Sequence, residues 1–370
     1  MTLQQLFFCL CGFLLLMGCG SPADNNLPKA SPDYLVIQGQ TMGTTYNISF
    51  RQADGSTASW KARIDSTLLA INMDVSTYID SSAISRFNRS GDPFPLADAK
   101  SNLDAFLQGG NTDGIPHPHF LANVLKAGDI HRQSAGNFDP TVMPLVQYWG
   151  FGTEKRPVQA IDSTRVDSLK QFVGFGRVQV DNSTDGPVLL RKELPGVQLD
   201  FSASAKGYAI DELSRLLEGD GLEDYYIEIG GEVRLKGNSK WGKPWRAGIS
   251  RPQIDARPNE FVAILNLDKG ALASSGNYRN FYRSGGRIYG HTINPITGFP
   301  EMNSLLGVSV LADDCLTADA FATSFMVMGL DSAFALASRT PAVEAFFIYG
   351  DADGGLANKY TPGFEQMIQK

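Results

Sequence analysis

The chain has 370 residues, of which 43% are hydrophobic and 19% are charged, and its formal net charge is −7. This composition is typical of a globular protein and excludes an intrinsically disordered chain. A net negative chain offers no basic surface of the kind that nucleic acids bind, so we expect no DNA or RNA partner.

The N-terminal segment has the features of an export signal. An apolar run over residues 6–17 is too short to span a bilayer permanently but has the length of a secretory h-region. The run ends in the sequence LMGC, which resembles a bacterial lipobox. We therefore expect residues 1–18 to be a signal peptide and Cys19 to carry a lipid that anchors an exported protein to a bacterial cell membrane, facing the periplasm. Because residues 1–6 contain no Lys or Arg, an ordinary secretory signal is the alternative.

The sequence after the leader divides into a tether and one folded domain. Residues 20–33, GSPADNNLPKASPD, are polar and rich in Pro, Ser and Asn, which favours a flexible linker. We therefore expect a tether over 19–33 and a single folded domain over 34–370. Of the four cysteines only Cys315 lies in that domain, so we expect no disulfide framework and interpret Cys315 as a small buried hydrophobic residue.

The first half of the domain combines strand and helix patterns. Its predicted elements are two strands within 34–50 with a bend at 40–44, a helix over 60–73, a turn and short helix within 75–88, and helices over 120–134 and 161–172. Asp139 is expected to cap a helix whose first position is Pro140. His117 and His119 lie in the Gly- and Pro-rich loop 109–119, and we interpret them as exposed loop side chains because no further ligand types cluster nearby.

The central stretch LDFSASAKGYAID, residues 199–211, has the pattern of a ligand-binding corner. It begins as a strand, turns through the small residues 203–205 and enters a helix at Lys206. Small side chains let a ligand approach the backbone, and a helix start favours anionic groups, so the stretch predicts a phosphate-bearing ligand. The alternative from this stretch alone is a buried strand, a tight turn and an amphipathic helix with no ligand.

Short strand patterns dominate the remainder of the domain. They fall within 178–200, where three strands are expected, and within 225–237, 244–250, 261–267, 271–276, 287–294 and 305–312. Because strands follow one another while helices come in blocks, we predict an α+β fold with mixed, largely antiparallel sheets flanked by helices. The sequence contains no GxGxxG, Walker, CxxC or HExxH motif, so the common cofactor and metal signatures that these provide are excluded.

Two stretches near the C-terminus carry candidate chemistry. Asp319 and Thr323 are four residues apart in the apolar helix pattern 313–329, for which Thr317 is a candidate N-cap, so their oxygens lie along one face. With a nearby backbone carbonyl they form the hard-oxygen set that Mg²⁺ selects, although a first-turn acid that complements the helix dipole is the alternative. His291 precedes a Pro-Ile-Thr-Gly turn and suits proton exchange near neutral pH, or it holds that turn by hydrogen bonds.

Eight stretches, in this order, resemble the motifs of one family over about Gln40 to Gly329. The family is the FAD:protein FMN transferases, the ApbE-type lipoproteins, and the order of the motifs carries more weight than any single one. The stretches are TMGTTY, STYIDSSAISRFN, FDPTVMPLVQYWGFG, LDFSASAKGYAID, IEIGGEV, SSGNYRN, HTINPITGFP and TADAFATSFMVMG.

The resemblance implies an ApbE-like domain over 34–370 that holds FAD in a cleft. It implies a Mg²⁺-dependent enzyme that cleaves FAD and attaches FMN by a phosphoester bond to a Ser or Thr of another protein, releasing AMP. The family's acceptors are subunits of membrane electron-transfer complexes such as the sodium-pumping NADH:quinone reductase (Nqr) and Rnf-type complexes. Two alternatives share the same cleft: an FAD pyrophosphatase that gives free FMN and AMP, and a non-catalytic FAD-binding lipoprotein.

The resemblance also assigns site residues position by position. His291 is the first candidate for the general base and Asp319 the second. Asn294 departs from the family's His-x-Ile-Asp-Pro pattern and removes one carboxylate near His291. The implied Mg²⁺ ligands are the carbonyl of Ala203 and the side chains of Asp319 and Thr323. The implied FAD contacts are Met42, Tyr78, Asn137, Phe138, Asp139, Asp200, Lys206 and Ile293.

Overall fold

The computed structural model describes residues 31, 33–52, 56–153, 161–182, 186–252, 260–276, 281–284, 287–351, 353 and 355–369. The predicted signal peptide 1–18, Cys19 and the tether up to residue 30 lie outside the described residues, as does the end of the SSGNYRN motif, 277–280. None of the helices in the described part combines the length and the hydrophobicity that a bilayer crossing requires.

The described residues form helices in two blocks around a run of strands. The α-helices are α1 (Thr57–Val75), α2 (Ala83–Arg89), α3 (Lys100–Gly109), α4 (Pro118–Gln133), α5 (Met143–Tyr148), α6 (Ser163–Lys170), α7 (Ala205–Gly219), α8 (Cys315–Met328), α9 (Leu330–Ala337) and α10 (Pro362–Met367). The strands are β1 (Tyr34–Thr41), β2 (Thr44–Arg51), β3 (Phe94–Ala97), β4 (Val178–Asp181), β5 (Val188–Lys192), β6 (Tyr225–Ile229), β7 (Glu232–Lys236), β8 (Trp245–Ser250), β9 (Phe261–Leu267), β10 (Lys269–Gly276), β11 (Phe281–Ser284), β12 (Arg287–Gly290), β13 (Leu305–Ala312), β14 (Val343–Gly350) and β15 (Leu356–Tyr360). Short 3-10 turns cover Pro140–Val142 and Phe175–Arg177.

An eight-stranded sheet forms the centre of the protein. Its strand order is β1-β2-β6-β7-β10-β13-β14-β15, and each neighbouring pair is antiparallel. The smaller sheets β3-β5-β4, β8-β9 and β11-β12 are also antiparallel in the described part of the chain. The predicted α+β class is confirmed, and the sheets are more uniform than the mixed arrangement that we expected.

Both faces of the central sheet are covered, and this explains the continuous apolar runs of β13 and β14. Along β14, Ala345 and Phe347 pack into the main core with α1, α7 and α8. The alternate residues Phe346 and Ile348 pack into a second core with β8, β9 and α10. Because successive side chains of a strand point to opposite faces, a strand that is covered on both sides needs apolar residues at every position.

The close approach of α7 and α8 depends on a glycine. A Cβ atom at Gly207 would lie 2.3 Å from the carbonyl oxygen of Cys315 and 2.8 Å from the Cα of Leu316, which no side chain tolerates. Glycine at this position therefore lets the first turn of α7 pack directly on the first turn of α8. This contact brings the central stretch 199–211 against α8, although more than a hundred residues separate them.

Several predicted elements are corrected by their partners in the fold. The third strand expected in 178–200 is wrong, because Leu199 is bonded through both its N–H (2.7 Å) and its carbonyl (2.8 Å) to the side-chain amide of Asn88 instead of a strand. The sequence 225–237 forms two strands, joined by a Gly-Gly turn with φ angles of 64° and 108°. The elements β3, α3, β11, α9, β14, β15 and α10 had no prediction.

Two expectations about side chains are also wrong. The N-cap of α8 is Asp314 and not Thr317, since the Asp314 carboxylate accepts hydrogen bonds from the N–H and the hydroxyl of Thr317, both at 2.8 Å. His117 and His119 are not exposed loop side chains. The imidazole Nδ1 of His117 lies 2.9 Å from Oδ1 of the buried Asp74, and that of His119 lies 2.8 Å from the Tyr208 hydroxyl. The buried Asp74 carboxylate needs hydrogen-bond donors, and the segment 117–119 provides them.

Candidate active site

A cleft of about 470 Å³ lies at the end of the central sheet that carries the β6–β7 turn. Its floor is formed by small residues of that turn and of the neighbouring strands, Gly230 and Gly231, Ser274 to Gly276 on β10 and Gly307 to Ser309 on β13. Small side chains leave the strand backbone open to a ligand. Its walls come from the segments 137–152, 200–206 and 291–295 and from one face of α8.

The centre of the cleft holds one ammonium group and two carboxylates. Lys206 Nζ lies 3.0 Å from Glu232 Oε1 and 4.0 Å from Asp319 Oδ1. Both carboxylate side chains are only 6% exposed. Glu232 Oε2 is buried and has no hydrogen-bond partner among the described residues. A buried carboxylate oxygen without a donor is costly, so the cluster lacks positive charge or a donor that a ligand could supply.

The pKa shifts in this cluster follow from that imbalance. Burial raises the pKa of Glu232 to about 7, and the nearby Lys206 opposes this shift only in part. Burial likewise raises the pKa of Asp319, against the opposing effects of Lys206 and the Gly207 N–H. Burial lowers the pKa of Lys206, but the charges of Asp319 and Glu232 outweigh burial and hold its pKa above the ordinary value. Lys206 therefore stays protonated and provides a fixed positive charge in the cleft.

Hard oxygen ligands converge where α7 begins. In a regular helix the N–H of Gly207 would be donated to the carbonyl of Ala203, but it is donated to Asp319 Oδ2 at 3.1 Å. No backbone hydrogen bond of the described residues is donated to the Ala203 carbonyl. Thr323 lies one helical turn after Asp319 on α8, and all three positions line the cleft. A carbonyl, a carboxylate and a hydroxyl in one place fit Mg²⁺.

The described residues contain neither a metal-binding cluster of His, Cys, Asp and Glu side chains nor an exposed thiol. Among the described residues, no group of three or more His, Cys, Asp or Glu side chains is placed to hold a metal ion. Lys206, Glu232 and Asp319 are here called the cleft cluster. The buried Cys315 lies under this cluster, and its thiol contacts the carbonyl of Val233 at 3.7 Å. Burial raises the pKa of this thiol well above its ordinary range, so it is a packing residue and not a nucleophile.

The wall formed by Asn137, Phe138 and Asp139 is a rigid loop. Asp139 Oδ1 accepts hydrogen bonds from the N–H (2.8 Å) and the hydroxyl (2.5 Å) of Thr141, as expected of a capping residue, and Oδ2 accepts from the N–H of Phe175 at 3.0 Å. Burial raises the pKa of Asp139 although these hydrogen bonds oppose the shift. The carboxylate therefore holds the wall in place with both oxygens occupied.

Two further predicted residues lie beside this wall and at the mouth, and the N–H of Asp200 donates to the carbonyl of Pro140 at 2.7 Å. Asp200 Oδ1 accepts from the N–H (2.8 Å) and the hydroxyl (2.5 Å) of Ser202, which fixes the turn that precedes Ala203. Burial raises the pKa of Asp200 more than these hydrogen bonds lower it. Tyr78 is 63% exposed, a large ring at the edge of the cleft that a planar ligand can cover.

His291 lines the cleft next to a turn that does not need a carboxylate. The ring of His291 meets the edge of Phe151 at a centroid distance of 6.4 Å. Asn294 Oδ1 accepts from the N–H groups of Ile296 (2.8 Å) and Thr297 (3.1 Å), so its side-chain amide holds the turn in the way that an aspartate would. The departure at Asn294 thus removes charge near His291 without removing the turn.

The structure brings all but one of the predicted site residues to this cleft. Met42 does not line it, because Met42 forms the tight β1–β2 turn with a φ of 49° and packs against the main core. Sequence reasoning missed Glu232 and the pair Ser274 and Ser309, whose hydroxyl oxygens are 2.7 Å apart. An acidic residue after Gly-Gly, between two strand patterns, was the available signal for Glu232. The predicted residues that line the cleft are Tyr78, Asn137, Phe138, Asp139, Asp200, Ala203, Lys206, His291, Ile293, Asp319 and Thr323.

Comparison with known proteins identifies the family. The model of the ApbE family matches residues 42–347. An FAD:protein FMN transferase of Vibrio cholerae serotype O1 is 34% identical over 363 residues, which cover 98% of each chain, and one of Salmonella typhimurium is 33% identical over 349 residues, which cover 94% of this chain and 92% of the relative. The solved structure of the flavin transferase ApbE from Vibrio cholerae has a TM-score of 0.76 at 32% identity and covers 90% of this chain and 99% of that chain. The chain therefore belongs to the ApbE family of FAD:protein FMN transferases.

Proposed function

We propose that this protein cleaves FAD in a Mg²⁺-dependent reaction and joins FMN by a phosphoester bond to a Ser or Thr hydroxyl of another protein, releasing AMP. Transfer of flavin to protein is the activity of the family; the metal, the bond and the leaving group are what the proposal adds. The observation that carries these additions is the cleft cluster, in which two buried carboxylates share one lysine beside an Ala203 carbonyl that accepts no backbone hydrogen bond from the described residues.

The proposed Mg²⁺ ligands are the carbonyl of Ala203, the carboxylate of Asp319 and the hydroxyl of Thr323. When bound, Mg²⁺ would neutralise charge on the diphosphate and polarise the phosphorus that is attacked. The N–H of Gly207 donates to Asp319 Oδ2 at 3.1 Å and so orients this carboxylate. Lys206, held by Glu232 at 3.0 Å, adds a second positive charge against the diphosphate.

In the transfer step the acceptor provides the attacking hydroxyl, AMP is the leaving group, and a residue of this chain takes the proton. The acceptor hydroxyl oxygen forms a bond to the FMN phosphorus, and the phosphoanhydride bond breaks so that AMP leaves with the bridging oxygen. His291 takes the hydroxyl proton, because an imidazole has an ordinary pKa near neutral pH. Asp319 is the second candidate for this role, and it would be the weaker base because a bound Mg²⁺ would engage its carboxylate.

The FAD molecule would lie along the walls of the cleft. We propose contacts with Tyr78 at the mouth, with Asn137, Phe138 and Asp139, with the adjoining Asp200, and with Lys206 and Ile293. Met42 is left out of this set because its side chain packs into the core. The small residues of the floor leave room for a flat ring system and a diphosphate.

We further propose that the enzyme is exported and held by a lipid on Cys19 at a bacterial cell membrane, facing the periplasm. Its acceptors would then be subunits of membrane electron-transfer complexes of the Nqr or Rnf type. The support is the LMGC sequence after an apolar run of the correct length, together with the family resemblance. A membrane anchor would raise the local concentration of such acceptors around the enzyme.

One incubation distinguishes the proposal from its alternatives. The full chain is mixed with FAD, Mg²⁺ and an acceptor subunit, and flavin fluorescence is read from the acceptor band of a denaturing gel. Labelled acceptor and AMP, both lost with a chelator, are the expected result. Free FMN without labelling would make the protein a pyrophosphatase, and unaltered FAD would make it a storage protein. If His291→Ala keeps full activity while Asp319→Ala loses it, His291 is not the base and the base must be reassigned.

A further inference from the structure

The loop between β7 and β8, residues 237–244 and here called the tryptophan loop, lies at the end of the sheet away from the cleft. β7 begins in the cleft at Glu232 and reaches the loop after Lys236, a rise of about 13 Å along the strand. β8 starts from the loop at Trp245 and enters the cleft at Gly248. The two sites therefore occupy opposite ends of the same strands.

The N-terminal chain reaches the body of the protein at this same end. The N–H of Ser31 donates to the carbonyl of Lys240 at 2.7 Å, and the Tyr34 hydroxyl donates to the carbonyl of Asn238 at 2.5 Å. β1 then runs the length of the sheet to Thr41, and the turn that follows it lies beside Gly230 in the cleft. Whatever precedes Ser31 thus leaves the protein next to the tryptophan loop.

The loop presents an aromatic ring and two unpaired positive charges. Trp241 is 46% exposed, and Lys240 Nζ lies 5.3 Å from its ring centroid. Within the described residues, neither Lys240 nor Lys243 lies within ion-pair distance of a carboxylate. Neighbouring acids have other partners: Asp224 is paired with Arg51 at 3.4 Å, and Glu223 with Lys236 at 3.7 Å.

These groups match the chemistry of a membrane surface. Tryptophan prefers the level of the lipid headgroups, and lysine is attracted to anionic lipids. From Cys19 to Ser31 there are 31 − 19 = 12 residues, which span at most about 40 Å when extended. A lipid on Cys19 would therefore keep the tryptophan loop within reach of the bilayer at all times.

We propose that the tryptophan loop rests on the membrane that carries the lipid anchor, with Trp241 at the headgroup level and Lys240 and Lys243 against anionic lipids. The cleft at the opposite end of the sheet then faces away from the bilayer. An acceptor must present its hydroxyl above the membrane surface, on a domain or loop that stands clear of the lipid. The inference rests on the anchor at Cys19 that is part of the proposed function.

The experiment compares Trp emission of the lipidated chain, residues 19–370, in phosphatidylglycerol-rich vesicles with and without brominated acyl chains. Trp60 and Trp149 are buried and give a constant background, while the partly buried Trp245 next to the loop is present in both the original chain and the Trp241→Phe variant, so only the difference between them reports on Trp241. We expect bromine to quench the emission and Trp241→Phe to remove at least half of that quenching. In an unlipidated Cys19→Ser chain, Lys240→Glu with Lys243→Glu should weaken vesicle binding by about 25-fold, about fivefold for each lysine. Ile296→Ser with Lys170→Glu changes an exposed apolar and a basic residue elsewhere and should leave both values unchanged.

The outcomes separate the loop from the anchor. If the lipidated chain binds vesicles without Trp241 quenching, the anchor stands and the inference is wrong. If Cys19 carries no lipid but binding still depends on Lys240 and Lys243, the loop stands and the anchor is wrong. If the loop variants instead reduce transfer to the acceptor without vesicles, the surface is a protein docking site and the membrane inference is overturned.

Discussion

Two clusters of buried charge lie side by side between α7, β7 and α8, and they are built from the same elements. The cleft cluster consists of Lys206 on α7, Glu232 on β7 and Asp319 on α8. The core cluster consists of Asp211 on α7, Arg234 on β7 and the first N–H groups of α8. The positive charge comes from the helix in the first cluster and from the strand in the second.

The core cluster is satisfied by the protein alone. Arg234 donates to Asp211 Oδ1 at 2.5 Å, and the N–H groups of Cys315 and Leu316 donate to its two oxygens at 2.8 and 2.9 Å. Burial raises the pKa of Asp211, and Arg234 opposes the shift. A buried pair whose oxygens all have donors joins three elements and requires nothing from outside.

The cleft cluster is not satisfied by the protein alone. Its two carboxylates share one ammonium group, and Glu232 Oε2 has no partner among the described residues. Perturbed and incompletely paired groups in a cleft are typical of functional sites. A structural charge cluster therefore differs from a functional one in whether the protein's own donors satisfy its carboxylates, even when both clusters are built from the same elements.

The largest expected effect is the loss of transfer in Asp319→Ala. Removing the carboxylate that we propose as a Mg²⁺ ligand should reduce flavin labelling of the acceptor by at least about 1000-fold, or about 4 kcal/mol. The loss of the acceptor of the Gly207 N–H should be offset in part because one of two crowded carboxylates is removed, so the free energy of unfolding in urea should change by no more than about 1 kcal/mol. Asp331→Ala, at an exposed first-turn acid of α9, is the matched control and should label normally. An Asp319→Ala protein with more than a tenth of normal activity would contradict the metal assignment.

The second effect is a loss of stability in Asp211→Ala. The change leaves the partly buried Arg234 without its carboxylate and removes the acceptor of the first α8 N–H groups, so the free energy of unfolding should fall by about 3 kcal/mol. Urea unfolding measures this change. The activity of the folded fraction should stay within about threefold of normal, and a loss of activity without a loss of stability would show that the core cluster also serves the reaction.

Local patterns predicted the elements that carry both clusters, but not the clusters. The strand pattern over 225–237 located β6 and β7 but as one strand, and the four-residue spacing placed Asp319 and Thr323 on one face of α8. The expectation of FAD came from the family resemblance, and that of Mg²⁺ from the resemblance together with the spacing of Asp319 and Thr323. The contact of Gly207 with Asp319 joins residues 112 positions apart, and no local pattern reports such a distance.

The errors have the same physical origin. Thr317 and Asp314 are both good capping residues, and only the fold shows which of them accepts the N–H bond. His117 was expected in solvent because its partner Asp74 lies 43 residues earlier in the chain. Glu232 was not predicted as a site residue, because its position in the cleft is recognisable only from its ion pair with Lys206, which lies on a different element.

A smaller effect is expected for Lys206→Met, which removes the only positive charge of the cleft cluster. Two carboxylates then face the diphosphate without compensation, so kcat/KM for FAD should fall by about 100-fold, mostly through a higher KM. Lys236→Met is the matched control, since Lys236 lies at the other end of β7 against Glu218 and Glu223. Equal losses in the two variants would mean that Lys206 acts through stability and not through the substrate.

The smallest effect is a change in pH dependence in Glu232→Gln. The pKa of Glu232 is raised to about 7 in the folded protein from an ordinary value near 4.5, so the folded state binds the extra proton between these values. Without ligand, the free energy of unfolding should therefore fall as pH rises from about 4.5 to about 7, and Glu232→Gln should reduce that slope by up to about 1.4 kcal/mol per pH unit. Other buried carboxyl groups with raised pKa, such as Asp139, keep the remaining slope in the variant. Urea unfolding at pH 5, 6 and 7 measures the difference, and parallel curves for the two proteins would mean that Glu232 is already charged at pH 5 and that Lys206 satisfies it.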